Sequence, residues 1–324
     1  MLLLFNVLII LSLSSSFKIN MMSSEKPSLL WTTLSSNLKK SARNWFINRA
    51  ENSGIDWNHM VERNKYKMHR LEYFKDSSTD YTIIYPDYYT QPFHGYDRGN
   101  LNWLAALEGE PATINMAVSY WKQNNPLLNQ DWLRYNITNN IKDYLHTTSL
   151  IKDPYEILDV GCSIGISTEY LYKSFPNSKL FAIDLSPYFI SMAKLRSEEF
   201  DFPIKYYHRN AEYTHFDDKR FGLVTCNFIF HECPEKATQN ILQELHRKLI
   251  PGGTIAIADL SPRELNKDSF FLTKFRKWAF EVTEPHIYGY YARDMKDMLS
   301  DAGFVNIKEV KNDPINSVWL ASRH

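Results

Sequence analysis

The segment Ile157–Leu171, which reads ILDVGCSIGISTEYL, constrains the fold of this chain more than any other. Its apolar run Ile157–Val160 leads directly into Gly161-Cys162-Ser163-Ile164-Gly165, and a helical pattern follows. Glycines between a strand and a helix permit a sharp bend and let the backbone approach a ligand closely. The segment therefore predicts a buried strand, a ligand-binding turn and a helix, which together open an α/β sheet.

From about residue 155 onward, short apolar runs alternate with amphipathic stretches, as is typical of a parallel α/β sheet. We predict strands near 156–160, 179–184, 204–208, 222–228, 254–260, 304–311 and 316–322, and helices near 166–175, 187–200, 235–249 and 291–302. Pro251-Gly252-Gly253 is expected to form a turn between the third of these helices and the fifth strand. Asn312-Asp313-Pro314 leaves no room for a helix between the last two strands, so they should form an antiparallel hairpin at the sheet edge.

The spacing of the glycine turn argues against a nicotinamide dinucleotide site. Such a site requires G-x-G-x-x-G or a small third residue. Counted from Gly161, this pattern places Ser163 and Ile166 where a glycine and a small residue are required. Asp159, just before the turn, puts a carboxylate beside the loop, which suits a ligand with a cationic amine better than a pyrophosphate.

Two further acidic or polar positions follow the second and third predicted strands. Asp184 ends the strand 19 residues after Gly165, where an acid can accept hydrogen bonds from both hydroxyls of a ribose. Ser186, next to Pro187, already supplies the N-cap of the following helix. Asn210-Ala211-Glu212 follows the third strand and would reach an adenine edge, although an ordinary surface loop explains these residues nearly as well.

The fourth and fifth strands also end in polar residues. Phe221–Phe230 is a buried run that carries Asn227 and is followed by His231 and Glu232, and Thr254–Leu260 contains Asp259 near its end. In open α/β sheets, ligands bind at the carboxyl ends of the strands. These side chains are therefore expected to face the same site.

Taken in order, these five segments resemble class I S-adenosylmethionine-dependent methyltransferases over about residues 155–323, in particular the type 11 small-molecule branch. The stretches YPDYY, PFHGYD, GNLNW and AALEGE, with the later Thr283-Glu284-Pro285, resemble a plant, algal and cyanobacterial group. The resemblance implies a Rossmann-like seven-stranded methyltransferase sheet with a terminal antiparallel hairpin and an N-terminal helical lid region. It also implies S-adenosyl-L-methionine as cofactor, bound by Asp159, Gly161, Cys162, Ser163, Gly165, Asp184, Leu185, Asn210, Ala211, Glu212 and Asn227. The chain departs from the family pattern at Ser163, where glycine is usual, and at Asn210, where an acid is more usual.

The predicted function is methyl transfer to a small molecule through an O, N, C or S atom that the sequence does not resolve. The leaving group of this displacement needs no protonation, so a general base is required only where the acceptor must lose a proton. His231 and Glu232 are the candidate catalytic residues because they follow the fourth strand. The alternative is that His231 caps the strand or orients the cofactor.

Two segments are candidates for contacting the acceptor. The aromatic loop 85–103 lies within a predicted helical lid and substrate region, 51–150, and contributes Tyr89, His94 and Tyr96. The other candidate is 262–290, an insertion within the methyltransferase domain predicted over 151–324, with Glu284 and Tyr288. The alternatives are that the aromatic side chains pack helices and that the acidic ones belong to a solvated face.

Residues 1–50 have the composition of a targeting leader. Residues 1–16 are signal-like, with an apolar run too short to span a bilayer, and 17–50 are serine-rich and basic, which is transit-peptide composition. We predict delivery to a plastid through this bipartite leader. The alternatives are a secretory or endomembrane location, or a cytoplasmic protein if translation starts at Met21 or Met22.

The chain carries no net charge, and the excess of basic residues in the leader leaves the remainder mildly acidic. No basic stripe favours nucleic acid, so the expected partner is a small-molecule substrate, with no stable membrane span in the mature chain and an oligomeric state that stays open. Three cysteines in no ligand spacing predict no metal site. Two other functions remain as alternatives, a nicotinamide-dependent oxidoreductase and a non-catalytic protein that binds S-adenosylmethionine.

Overall fold

The computed structural model describes residues 43–91, 96, 98–118, 121, 124–261 and 286–324. Seven strands form one sheet in the order β3-β2-β1-β4-β5-β7-β6. The strands are β1 Glu156–Val160, β2 Lys179–Asp184, β3 Lys205–His208, β4 Phe221–Asn227, β5 Leu249–Leu260, β6 Phe304–Lys311 and β7 Asn316–Arg323. β1 to β5 are parallel, whereas β7 is antiparallel to both of its neighbours, β5 and β6. The predicted Rossmann-like sheet with a terminal antiparallel hairpin is confirmed.

Helices precede the sheet and connect its strands. They are α1 over 43–52, α2 Trp57–Lys65, α3 Met68–Ser78, α4 Trp103–Val118, α5 Pro126–Thr147, α6 Ile166–Ser174, α7 Pro187–Glu199, α8 Glu235–Lys248, α9 Ile287–Tyr291 and α10 Met295–Asp301, with a 3₁₀ turn at Phe230–Glu232. The N-cap predicted at Ser186 is confirmed, because its hydroxyl accepts a hydrogen bond from the Phe189 N–H at 3.3 Å.

Two element boundaries differ from the sequence predictions. The predicted turn at Pro251-Gly252-Gly253 is wrong, because β5 begins at Leu249 and runs through these residues. Gly252 has a φ of +78°, and the pairing register with β4 shifts between Phe221 and Leu223, so the glycine lies at an irregularity in the strand. The predicted helix 291–302 is two shorter helices, and the second begins after Asp294, whose side chain caps it.

The N-terminal helices form a layer packed against the beginning of α6 and against α7. Their core side chains Ala50, Trp57 and Ala106 belong to one buried cluster with Ile164 and Ile166, which lie in and after the glycine turn. Residues 43–50, the last part of the predicted leader 17–50, are thus in the folded structure. This layer covers the glycine turn and so encloses the carboxyl ends of the parallel strands.

In the part of the chain that the structure describes, none of the helices has both the length and the apolar character needed to cross a membrane.

Candidate functional site

A cavity of about 450 Å³ lies at the carboxyl ends of β1, β2 and β4 and beneath the N-terminal helices. Its first half, the sheet half, is formed by the strand ends and the loops that follow them. Its second half, the helical half, is formed by α1, α2, α4 and α5. From the sequence-predicted set, the cavity is lined by Gly161, Cys162, Ser163, Asp184, Leu185, Asn210, Ala211, Asn227, His231, Glu232, Tyr89 and Tyr96. Most of the predicted cofactor residues are therefore brought together in one place.

The glycine turn requires two of its residues to lack a side chain. Gly161 has a φ of +68°, and a Cβ there would lie 2.3 Å from Cγ2 of Ile229. Gly165 has a φ of +87°, and a Cβ there would lie 2.7 Å from the hydroxyl of Tyr206. Ser163 also adopts a left-handed conformation, with a φ of +50°, which accounts for the glycine usual at this position.

Asp159 is buried below the turn and does not line the cavity. Its carboxylate accepts hydrogen bonds from the hydroxyls of Thr168 and Thr225, at 2.6 and 2.7 Å, and from the Asn227 amide at 3.3 Å. Burial raises the pKa of this carboxyl. In this structure Asp159 joins β1 to α6 and β4, below the cavity rather than in it.

Asp184 faces the cavity from the end of β2. One carboxylate oxygen accepts the Ser163 N–H and the other accepts the Ser186 N–H, both at 2.8 Å. Burial raises the pKa of Asp184 to about 7, and the nearby Glu232 acts in the same direction. The carboxylate thus holds the glycine turn in place and leaves lone pairs for a ligand.

The third predicted segment divides between two roles. Leu185, Asn210 and Ala211 line the cavity. Glu212 does not, because its carboxylate accepts hydrogen bonds from the Tyr88 hydroxyl at 2.8 Å and the Asn240 amide at 2.7 Å. Glu212 therefore anchors the aromatic segment that covers the site.

Asp259, which the sequence predicted to face the site, does not line the cavity but orients His231. Nδ1 of His231 lies 2.7 Å from a carboxylate oxygen of the fully buried Asp259. Asp259 also accepts the backbone N–H groups of Phe230 and Leu260, at 2.9 and 2.8 Å. An ionised carboxylate only accepts, so Nδ1 carries the hydrogen and Nε2 is the nitrogen that can take a proton.

The segment 80–89 is attached to the sheet at a second point. His208 accepts the Asp80 N–H on Nδ1 at 3.0 Å, and its Nε2 lies 3.0 Å from the Leu185 carbonyl and 3.1 Å from the Tyr85 hydroxyl. Tyr89 lies among charged groups of the cavity, and burial followed by the charges of Asp184 and Glu232 raises its pKa. The aromatic segment therefore covers the ends of β2 and β3.

Polar groups of the helical half converge on Glu108, a buried residue of α4. Its carboxylate accepts hydrogen bonds from the Arg43 guanidinium, from the Tyr96 hydroxyl at 2.6 Å and from the Trp57 indole at 3.3 Å. Arg134 of α5 donates to neighbouring hydroxyls and also lines the cavity. Tyr96 is one of the predicted substrate residues and Glu108 lies in the AALEGE stretch, but no sequence pattern indicates that they meet each other, Arg43 and Trp57.

Three predicted substrate residues have no described side chain. His94 and Glu284 lie outside the described residues, as does most of the predicted insertion 262–290, and Tyr288 is described only in its backbone.

Gly165, one of the predicted cofactor residues, contributes to the glycine turn without lining the cavity.

Comparison with known proteins supplies the class of this site. A sequence model of the family described as "Methyltransferase domain" matches residues 157–253. These residues, less than a third of the chain, are thus similar to methyltransferase domains. An uncharacterized methyltransferase of Synechocystis sp. is 31% identical over 105 residues, which cover 32% of this chain and 47% of that protein. Malonyl-acyl-carrier-protein O-methyltransferase 1 of Ilyobacter polytropus is 30% identical over 110 residues, or 33% and 38% of the two chains.

The match thus covers less than half of each of these two relatives. Among solved structures, the plantazolicin methyltransferase BpumL has a TM-score of 0.48 and 15% identity, over 69% of this chain and 95% of that one.

The cofactor of the methyltransferase domain is S-adenosylmethionine, and the residues of the cavity fit it. Asp184 presents acceptor lone pairs suited to ribose hydroxyls, and the glycine turn brings backbone close to the ligand. Asp184 and Glu232 both line the cavity, and their negative charge is complementary to a sulfonium cation.

Proposed function

We propose that this chain transfers a methyl group from S-adenosylmethionine to a small molecule whose acceptor atom loses a proton, with a hydroxyl as the preferred acceptor. The observation that carries the proposal is that His231, oriented by Asp259, shares one cavity with the glycine turn and Asp184. A binding site alone would not need a histidine whose second nitrogen is held by a buried carboxylate.

His231, Asp259 and Glu232 each have a distinct role in such a reaction. Bound S-adenosylmethionine supplies an electrophilic methyl carbon on a cationic sulfur that leaves as a neutral thioether. Nε2 of His231 would take the proton that an acceptor hydroxyl in the cavity loses on methylation. Asp259 stabilises the imidazolium that forms, because its carboxylate lies 2.7 Å from Nδ1. Glu232, with a carboxylate oxygen 4.0 Å from Nε2, is positioned to receive the proton from the histidine or to hold the acceptor.

The helical half supports a small apolar acceptor. Aromatic and aliphatic side chains contribute much of its lining, among them Phe46, Trp57 and Met116, and the buried Glu108 is already neutralised by Arg43. A cavity of about 450 Å³ that must also hold the cofactor leaves room for one ring system rather than a polymer.

We also propose that the chain belongs to the type 11 small-molecule branch, in the plant, algal and cyanobacterial group, and that the part of the predicted leader before residue 43 directs it to a plastid. The Synechocystis relative supports the first, and the basic, serine-rich composition before residue 43 supports the second. Imaging a fluorescent protein fused to residues 1–50, with a fusion that begins at Met22 as control, tests the location. A secretory or cytoplasmic signal from the longer fusion would contradict it.

The catalytic proposal is tested by a methyl-transfer screen with isotopically labelled S-adenosylmethionine over phenols, aliphatic alcohols, amines and thiols. We expect transfer to a hydroxyl compound, and we expect His231→Asn to lower kcat by about 10²- to 10⁴-fold while the affinity for S-adenosylhomocysteine stays unchanged. His69→Asn, at an exposed histidine of α3, is the matched control.

Three outcomes contradict the proposal. Binding of NADH without binding of S-adenosylhomocysteine indicates an oxidoreductase. Binding of S-adenosylhomocysteine with no transfer to any acceptor indicates a non-catalytic binding protein. If His231→Asn transfers the methyl group as fast as the wild type, His231 is not the general base.

A further inference from the structure

Asn100 is a buried polar residue of the N-terminal layer that lines the cavity beside Asp184. It lies in the turn before α4, and only 7% of its surface is exposed. Its carbonyl oxygen accepts the Ser186 hydroxyl at 2.7 Å, and the N–H of the same serine donates to Asp184 at 2.8 Å. One residue therefore connects the backbone of Asn100 to the carboxylate at the end of β2.

The side-chain oxygen of Asn100 has no hydrogen-bond partner among the described residues, although it is fully buried. A buried amide oxygen left without a partner costs free energy, and native proteins satisfy most such groups. The neighbouring Asn102 shows the contrast. Its amide donates to the Gly99 carbonyl at 2.7 Å and its side-chain oxygen accepts the Ala105 N–H at 2.9 Å. Asn102 thus begins α4, whereas the amide oxygen of Asn100 has no such structural task.

Asn100 and Asp184 line the same cavity, so a ligand held there can supply the hydrogen-bond donor that the described residues do not. In the proposed function, the ribose of the cofactor lies there, and its two hydroxyls are donors. Each oxygen of Asp184 already accepts one backbone N–H, from Ser163 or from Ser186. A second acceptor, the side-chain oxygen of Asn100, would allow both ribose hydroxyls to donate a hydrogen bond.

We infer that Asn100 is a cofactor-binding residue whose side-chain oxygen accepts a hydrogen bond from a ribose hydroxyl, a contact that rests on the proposed function. This contact comes from outside the methyltransferase domain match at 157–253. The N-terminal layer therefore takes part in binding the nucleoside and does not serve the acceptor alone.

The test is calorimetry on the full-length chain with S-adenosylhomocysteine and with 5′-methylthioadenosine, which keeps the ribose and lacks the amino acid. Asn100→Leu should weaken both ligands by a similar factor, about tenfold for one lost hydrogen bond. Asn58→Leu, at an exposed asparagine of α2, is the matched control and should change neither. Asn100→Ala should repeat the loss if the leucine variant folds poorly.

The thermal midpoint of the ligand-free protein separates binding from structure. Replacing an unpartnered buried oxygen with leucine should leave the midpoint equal or raise it, whereas a structural asparagine would lower it. The 2′-deoxy and 3′-deoxy forms of methylthioadenosine identify the hydroxyl. Removing the hydroxyl that Asn100 binds should weaken the wild type and leave the Asn100→Leu variant nearly unchanged.

The inference fails if S-adenosylhomocysteine binds the wild type and both Asn100 variants equally well. It also fails if the loss is confined to S-adenosylhomocysteine, since this would put the contact on the amino acid. If the wild type binds neither ligand, the proposed function fails together with it.

Discussion

The two halves of the cavity are built in different ways. The sheet half uses backbone geometry, with two glycines at φ values of +68° and +87° and a carboxylate that accepts two N–H groups. The helical half uses side chains from helices far apart in sequence, such as Arg43 and Trp57 on Glu108. A site made from backbone demands particular residues at fixed spacing, whereas a site made from side chains can be rebuilt with others. We therefore expect substitutions in the sheet half to abolish cofactor binding more readily than substitutions in the helical half change acceptor binding.

The largest expected effect comes from adding one methyl group to the sheet half. Gly161→Ala places a Cβ 2.3 Å from Cγ2 of Ile229 in a left-handed conformation, so the turn must shift. We expect the affinity for S-adenosylmethionine to fall by about 100-fold, from about 1 kcal/mol of backbone strain and 1–3 kcal/mol of overpacking. Calorimetry measures this affinity in the wild type and in the variant.

Two controls define that result. Gly289→Ala introduces the same methyl group where it meets only the tip of Arg293, at 3.7 Å, and should have no effect. Combining Gly161→Ala with Ile229→Ala removes the clashing atom and should recover part of the affinity. Full affinity in the single variant would mean that backbone shape does not set cofactor binding.

A change in the helical half should instead separate the acceptor from the cofactor. Phe46 lines the cavity and packs edge-to-face on Trp57 at 5.9 Å. We expect Phe46→Ala to raise the KM for the acceptor by about tenfold, as for the loss of one apolar contact of 1–2 kcal/mol, with no change in cofactor affinity. Phe74→Ala, in the same cluster but not at the cavity, controls for stability. An equal loss in both binding steps would show that the two halves are not separable.

The pH dependence of cofactor binding tests the Asp184 carboxylate. The pKa of Asp184 in the ligand-free protein is raised to about 7, while ribose hydroxyls and a sulfonium prefer the ionised form. Affinity for S-adenosylmethionine should therefore rise by about tenfold per pH unit below pH 7 and level off above it. Asp184→Asn should bind more weakly and without this dependence, as calorimetry from pH 5.5 to 8.5 would reveal.

The same group affects the stability of the ligand-free protein in the opposite direction. Its folded-state pKa lies above the unfolded value, so the folded state holds an extra proton between about pH 4 and 7. This contribution to the free energy of unfolding is present at low pH and is lost as the pH rises through 7. Denaturant titrations of the wild type and of Asp184→Asn measure it. A parallel rise of stability and affinity would contradict the assignment.

The smallest expected effect is at Ser163, where the φ of +50° favours glycine. Ser163→Gly should stabilise the ligand-free protein by about 0.5 kcal/mol and leave cofactor affinity within about twofold. Ser77→Gly, at an exposed helix position, should destabilise it by a similar amount. A loss of cofactor affinity in Ser163→Gly would show that the Ser163 hydroxyl takes part in cofactor binding.

The sequence predicted the sheet well because, over most of it, short strands alternate with helices. All seven strands form near the predicted residues, and the hairpin follows from the short Asn312–Pro314 connection. The turn at Pro251-Gly252-Gly253 was predicted wrongly, because β5 begins before it, at Leu249, and takes these residues up as an irregularity between its pairings with β4 at Leu249 and at Thr254.

The site likewise has residues that the sequence predicts and residues that only the structure places. The sequence by itself determined the glycine turn, Asp184 and His231, because each lies at a fixed place relative to a strand end, and the topology of a parallel sheet brings strand ends together. Only the tertiary structure decided that Asp159 lies below the cavity, that Asp259 orients His231, and that Asn100 and Glu108 reach the site. The hydrogen bonds among them join residues from 9 to 65 positions apart in the chain. Their chemistry depends on burial and on neighbours that no local pattern records.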